Sequence, residues 1–274
     1  AEIVPLDACR VLAPEIVAAR DALAGIAGLA ASRKGEPKLA VTLTETGLDV
    51  NVEGAKPLDG QSRARAAALA AATGLARLSW GGEPVAAPRT PVLTMGAARL
   101  TPPPGGFLQA TREGEAALLA FVRAALGPAR RIADLFAGAG TFALPLADAA
   151  EVHAVESDAA HLAALEAAWR GAAGRLKRIT PERRDLFRRP LRPEELKHFD
   201  AAVFDPPRAG AAAQSEQLAK APLARLAAVS CNPETFARDA RTLIDGGWRL
   251  ERVLPVDQFR WSPHVELAAA FTRA

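Results

Sequence analysis

Ser230-Cys231-Asn232-Pro233 is the segment best suited to covalent chemistry. Cys231 follows an apolar run and precedes a stretch that reads as a helix. Asn232 fits the N-cap and Pro233 the first helical position. A thiol there feels the helix dipole, so its pKa is expected to fall and its thiolate to serve as a nucleophile. The bland alternative is a small buried cysteine. His264-Val265-Glu266 enters the last apolar run, Leu267–Phe271. A carboxylate beside a histidine is suited to general-base work; an ordinary strand-end charge is the alternative. Asp205-Pro206-Pro207-Arg208 ends another apolar run, where a parallel strand would face a ligand crevice. A proline-terminated strand with a solvated Asp would look the same.

A second group is suited to binding a nucleoside cofactor. Asp134-Leu-Phe136-Ala-Gly138-Ala-Gly140-Thr141 closes one apolar run and opens a helix. Glycines let backbone approach a ligand closely, although a tight turn alone also calls for them. Glu156 ends the next apolar run, eighteen residues past Gly138, where an acid grips ribose hydroxyls. NAD and S-adenosyl-L-methionine both fit this pattern. Residues 170–197 hold ten basic side chains, from Arg170 to Lys197, which reads as a solvated face or an RNA phosphate track. His153, His161 and His198 show no metal spacing, and no metal site is expected.

These residues need a scaffold, and the chain changes style near residue 100. Up to that point it reads as a small α+β unit. It has a helix over 11–31, a hairpin over 38–54 turning at Glu45-Thr46-Gly47, and a helix from about Gln61 to Ala76. Short runs cut by Gly and Pro follow, ending at Pro102-Pro103-Pro104-Gly105-Gly106. Beyond it strands alternate with helices. Helix 112–126 leads to a strand at 130–136 and a helix from about Thr141. The strand 152–156 precedes helix 158–170, and strands 199–205 and 223–230 precede helix 233–244. Buried, non-alternating strands of this kind form a parallel doubly wound sheet. The closing runs, 248–255 and 265–272, are placed to form a hairpin that turns the last strand antiparallel. The expected domains are therefore 1–100 and 101–274.

Composition bounds the setting. The chain has 274 residues, of which 50% are hydrophobic and 24% charged, so it is globular rather than disordered. It has no membrane-length apolar run and no signal-like start, and its two cysteines cannot build a disulfide scaffold. A cytoplasmic protein is expected. The net charge of +3 is carried mostly by arginine, which permits an RNA partner and also suits a GC-rich genome.

In order, "GFLQA", "DLFAGAGTFALPLA", "AVE", "FDPPRAG", "VSCNPETFARD" and "HVE" resemble the bacterial uracil-C5 RNA methyltransferases, which form 5-methyluridine in rRNA and tRNA. The likeness covers essentially the whole chain and is specific from Phe107 onward. It implies a class I methyltransferase (Rossmann-like) fold behind a small N-terminal α+β domain that helps hold RNA. It implies Cys231 as nucleophile and Glu266 as base. It favours S-adenosyl-L-methionine, with Asp134 ahead of the glycines, and maps cofactor contacts onto Gln109, Phe136, Gly138, Gly140, Thr141, Glu156, Asp185 and Asp205. The RNA and the target uridine stay open, as does any protein partner. In the implied mechanism Cys231 adds to C6 of uracil, which makes C5 nucleophilic enough to take a methyl group. Glu266 then removes the C5 proton and Cys231 leaves. The base must be unstacked to be reached. An exocyclic-amine methyltransferase and a catalytically impaired RNA-binding module are the alternatives.

Three departures stand out. Thr111 and Thr141 occupy positions where the family often has Asn, and Phe259-Arg260-Trp261-Ser262-Pro263 replaces its usual Phe-Pro-x-Thr. Many members also carry an N-terminal RNA-binding barrel and a four-cysteine iron–sulfur cluster. Cys9 resembles the fourth cluster ligand; either the sequence starts after the other three or this subgroup lacks the cluster.

Overall fold

A computed structural model describes residues 8–31 and 36–273. Contacts divide the chain into two units, one holding residues up to Leu93 with Thr101–Gly106, the other Thr94–Leu100 with everything from Phe107.

The first unit begins with α1 (Pro14–Ala18) and α2 (Arg20–Ala30), which then give way to β1 (Lys38–Thr44) and β2 (Gly47–Glu53). One continuous helix over 11–31 was the expectation. The structure interrupts it at Ala19, whose N–H bonds back to both Glu15 and Val17. No Gly or Pro marks that break. β1 and β2 pair as the expected antiparallel hairpin, with Thr44 opposite Gly47. Next come α3 (Gly60–Ala72), β3 (Arg77–Trp80) and β4 (Glu83–Ala86). The α3 helix stops short of Ala76 because Gly74 takes φ +68°, a left-handed turn that ends a helix. The sheet order is β1-β2-β3-β4, with β3 parallel to β2. In that register Asp49 faces Arg77. The buried Arg77 guanidinium donates to both Asp49 oxygens at 2.8 and 2.6 Å and to the Pro102 carbonyl at 2.7 Å. Ile26, Val50, Val52, Ala66, Ala70, Leu75 and Leu78 form the core.

A two-stranded ribbon, β5 (Leu93–Met95) with β6 (Ala98–Leu100), precedes the second unit's main run. That run starts with α4 (Arg112–Leu126), β7 (Arg131–Leu135), α5 (Ala143–Leu146), β8 (Glu151–Glu156) and α6 (Ala159–Gly171). It continues with β9 (Ile179–Arg183), α7 (Pro193–Leu196), β10 (Ala201–Phe204), α8 (Ala212–Leu218) and β11 (Arg225–Ser230). It ends with α9 (Pro233–Asp245), β12 (Arg249–Val256) and β13 (Glu266–Thr272). The sheet order is β12-β13-β11-β10-β7-β8-β9. Five strands run parallel, and β13 runs antiparallel to both its neighbours, as the hairpin expectation had it.

Four elements of this unit differ from the sequence reading. The helix expected from Thr141 is a single turn, since β8 begins at Glu151 and leaves no room for more. β9 lies inside the basic run and escaped notice because it carries Pro181 and charges; an edge strand tolerates both. The short helices α7 and α8 carry too few turns for their periodicity to register.

Candidate active site

The parallel strands end on one edge of the sheet, where α/β folds bind ligands. β13 runs the other way, so its first residue reaches the same edge. Ser230 pairs with Leu267, and extending this register by one residue sets Cys231 opposite Glu266. Asp205 follows β10, its N–H bonded to Leu135 O at 3.2 Å. Cys231, Glu266 and Asp205 thus come together, though they lie far apart in sequence. The Glu266 charge acts on both of the others, and the Asp205 charge acts on Cys231. Burial and then the Glu266 charge push Asp205 up to about 7. Glu266 is itself raised by burial.

The thiol departs from expectation. Burial raises the Cys231 pKa, and the Glu266 and Asp205 charges add to this; a backbone N–H and Arg208 only partly oppose them. The donors beside the thiol are also engaged by the local turn and cap. Asn232 Oδ1 accepts from Glu234 N at 3.0 Å, and Ser230 Oγ accepts from Asn232 N at 3.2 Å. The expected Asn232 cap formed, with Pro233 at the first helical position.

Gln109 donates from Nε2 to Asp205 Oδ2 at 3.3 Å. Its own Oε1 accepts from Gln258 Nε2 at 2.9 Å, and Gln258 Oε1 accepts from Thr111 N at 3.1 Å. Gln258 is buried, and a Cβ on Gly114 would strike it at 2.4 Å. The sequence reading passed over Gln258 because a lone glutamine in a loop carries no pattern. Arg208 Nη2 lies 3.4 Å from His264 Nδ1, and the Arg208 carbonyl accepts from Asn232 Nδ2 at 3.0 Å.

The second group sits where β7 and β8 end. Gly138 has φ +53° and Gly140 φ +99°. A Cβ on Gly138 would meet no atom within 4 Å, whereas one on Gly140 would lie 2.9 Å from Leu144 Cγ. Gly140 is therefore needed for packing, and Gly138 keeps open space. Glu156 Oε2 accepts from Gly138 N at 3.0 Å, and its Oε1 accepts from Ser157 N and Asp158 N at 2.6 and 2.8 Å. Phe136 holds φ +62°, a costly backbone for an aromatic residue, and its ring meets Phe187 at 5.4 Å. Asp185 Oδ1 accepts from Phe187 N at 2.9 Å and so shapes that turn. Thr141 is half-buried in the turn after Gly140. Asp134 is fully buried, and the Ala143 backbone N–H only partly offsets the cost of charge there. Its pKa rises far above the carboxylate range through burial, with Asp205 and Glu156 adding to it. Those couplings make the two groups neighbours.

Much of the basic run is neutralised locally. Arg184 donates to Glu195 at 2.7 and 3.1 Å and to Glu182 at 3.2 Å, which takes Glu195 down to about 2. Arg170 pairs with Glu166. Cys9 lies in the first unit, its sulfur accepting from Val11 N and Leu12 N at 3.4 and 3.3 Å. Among the described residues no three His, Cys, Asp or Glu side chains gather to hold a metal, and no helix is long and apolar enough to cross a membrane.

The strand order, the antiparallel β13 and the glycine turn after β7 define the class I methyltransferase fold. The Pyrococcus abyssi tRNA (uracil-54, C5)-methyltransferase, solved with S-adenosyl-L-homocysteine, shares it. Its TM-score is 0.76 at 20% identity, over 99% of this chain and 69% of that one. The sequence model of the tRNA (Uracil-5-)-methyltransferase family matches residues 105–274, and the chain belongs to that family. A Brucella suis protein named an uncharacterized RNA methyltransferase is 50% identical over 272 residues, 99% of this chain. A Mesorhizobium japonicum protein of the same description is 51% identical over 268 residues, 98% of this chain. The 23S rRNA (uracil(1939)-C(5))-methyltransferase of Chromohalobacter salexigens is 36% identical over 173 residues, 62% of this chain and 35% of that protein. The chain spans 65% of the length of the Brucella and Mesorhizobium relatives.

Proposed function

We propose that this chain carries the catalytic part of an S-adenosyl-L-methionine-dependent RNA methyltransferase that modifies C5 of a uridine in rRNA or tRNA. The carrying observation is the meeting of Cys231, Glu266 and Asp205 at one sheet edge, beside a glycine turn with open space at Gly138. Family membership supplies the reaction class. In this reading residues 1–100 form a small domain that contacts RNA, residues 101–274 hold the cofactor and the chemistry, and the enzyme works in the cytoplasm.

The cofactor supplies an electrophilic methyl group when bound. The residues after β7 and β8 suit it chemically: Glu156 offers acceptors for ribose hydroxyls, Phe136 and Phe187 an apolar bed for a purine, and Asp185 its remaining acceptor lone pairs. Gly138 and Gly140 keep the backbone low, Thr141 lines the turn, and the buried Asp134 offers a carboxyl to a cationic amino group. Gln109 holds Asp205, whose charge reaches Cys231.

Cys231 Sγ releases its proton to solvent and, as the thiolate, adds to C6 of an unstacked uracil, and the electron pair of the C5–C6 double bond moves to C5. After methyl transfer to C5, Glu266 removes the C5 proton, the C5–C6 double bond reforms and the sulfur departs. The raised pKa of Glu266 suits an acceptor of that proton.

RNA bearing 5-fluorouridine tests this, because fluorine cannot leave as a proton. Incubated with cofactor, the wild-type chain should form a denaturation-resistant adduct that Cys231→Ala does not form. Glu266→Gln should accumulate adduct on ordinary RNA. An adduct with Cys231→Ala, or none with wild type, overturns the mechanism. Methylation that survives Cys231→Ala and lands on an exocyclic nitrogen selects the amine-methyltransferase alternative.

A further inference from the structure

The connection between β12 and β13 carries a feature that the chemistry above does not use. Trp261 is 74% exposed and holds φ +64°. The other three tryptophans are anchored through their indole N–H groups. Trp80 donates to Lys56 O at 2.8 Å, Trp169 to Lys177 O at 2.9 Å and Trp248 to Leu218 O at 2.9 Å. Among the described residues Trp261 makes no such bond.

Its exposure does not come from a slack loop. Gln258, three residues earlier, is buried and tied to Gln109 and Thr111. Phe259 N bonds to Asp257 Oδ1 at 3.1 Å, Ser262 N to Phe259 O at 3.0 Å, and His264 N to Ser262 Oγ at 3.1 Å. These bonds close a tight turn around Trp261 and hold its backbone in a conformation that an aromatic residue rarely adopts. The turn also lies at the reacting groups. Glu266 is five residues downstream, and His264 contacts Arg208, whose charge is felt by Cys231. Arg260 is the preceding residue and, like Arg208 and His264, is exposed; the nearest acid before the turn, Asp257, is occupied by the Phe259 N–H.

A large aromatic face, held outward among cations, fits single-stranded nucleic acid better than an apolar protein surface. Bases stack on aromatic rings while cations take up the phosphates. A uridine that leaves its stack to meet Cys231 uncovers the face of the adjoining base. We infer that Trp261 is a stacking platform for the nucleotide next to the target uridine, and so a determinant of which RNA this enzyme accepts. The inference rests on the uridine-methylation reading for its setting, but its test does not.

The test follows tryptophan emission of the full chain during titration with single-stranded oligouridylate, and with duplex RNA of equal length. Binding of the single strand should quench the wild-type emission, and the quench should be lost in Trp261→Phe. Labelled-RNA polarisation should give Trp261→Phe nearly wild-type affinity. Trp261→Ala should bind roughly 5- to 100-fold more weakly, the range expected for one stacked base. Its salt dependence should stay unchanged, because no charge is lost. Equal affinity of Trp261→Ala and wild type, a quench that persists in Trp261→Phe, or binding without any quench overturns the inference. So does failure of the chain to bind the single strand. The two readings fail separately. A chain that traps 5-fluorouridine RNA on Cys231 yet ignores Trp261 sinks only the platform, while stacking on Trp261 without an adduct sinks only the methylation chemistry.

Discussion

Cys231 and Cys9 are opposite cases of one side chain. Burial and two carboxylates raise Cys231 from the usual 9.0, whereas two backbone N–H groups lower the exposed Cys9 from the same value. The sign has a direct consequence. A raised pKa leaves less thiolate at any given pH, so Cys231 should alkylate only as pH climbs past 9.0, while Cys9 should react at lower pH. Iodoacetamide labelling followed by peptide mass spectrometry reads the two sites in one sample. Glu266→Gln removes a neighbouring negative charge and should move the Cys231 midpoint down without moving that of Cys9. A Cys231 that labels at lower pH than Cys9 would show that the carboxylates do not govern it. The same logic gives methyl transfer an alkaline limb, because the nucleophile must first ionise against its neighbours.

At the scale of elements, the glycine turn between β7 and α5 divides its two tasks between two residues. Gly140→Ala puts a Cβ 2.9 Å from Leu144 Cγ at φ +99°, and should cost about 2–4 kcal/mol through strain and overpacking. Gly138→Ala meets nothing within 4 Å at φ +53° and should cost only about 1–2 kcal/mol of backbone strain, yet weaken cofactor binding by filling the open space. Urea unfolding midpoints separate the stability effects, and calorimetric titration with S-adenosyl-L-homocysteine separates the binding effects. Equal stability losses would contradict this division. The β12–β13 hairpin has a comparable double role, since reversal of β13 is what returns Glu266 to the edge where β10 and β11 end.

At the scale of the whole molecule, both units bury polar groups inside an apolar core. The second packs around residues such as Leu135, Phe204, Leu226 and Phe271, and its buried Asp134, Gln258 and Glu266 belong to the candidate site. The first has a buried ion pair across β2 and β3, between Asp49 and Arg77. Arg77→Ala would leave Asp49 buried without its partner and unbond the Pro102 carbonyl. It should destabilise the first unit by about 3–5 kcal/mol in denaturant unfolding. A loss below about 1 kcal/mol would mean that water replaces the guanidinium at little cost.

Much was legible from the sequence alone. Strand–turn–helix order, the glycine turn, Glu156 at a strand end and the capped Cys231 motif are local patterns. Hydrophobic period and turn chemistry fix such patterns within a few residues. Other features were decided only when distant segments met. β9 was hidden by Pro181 and its charges, because an edge strand need not look apolar. Gln258 has a role only through Gln109 and Thr111, roughly 150 residues earlier in the chain. The direction of the Cys231 shift also belongs to tertiary structure. The local motif puts the thiol at a helix start, where a lowered pKa is the expectation; the fold adds burial and the charges of Glu266 and Asp205, which raise it instead.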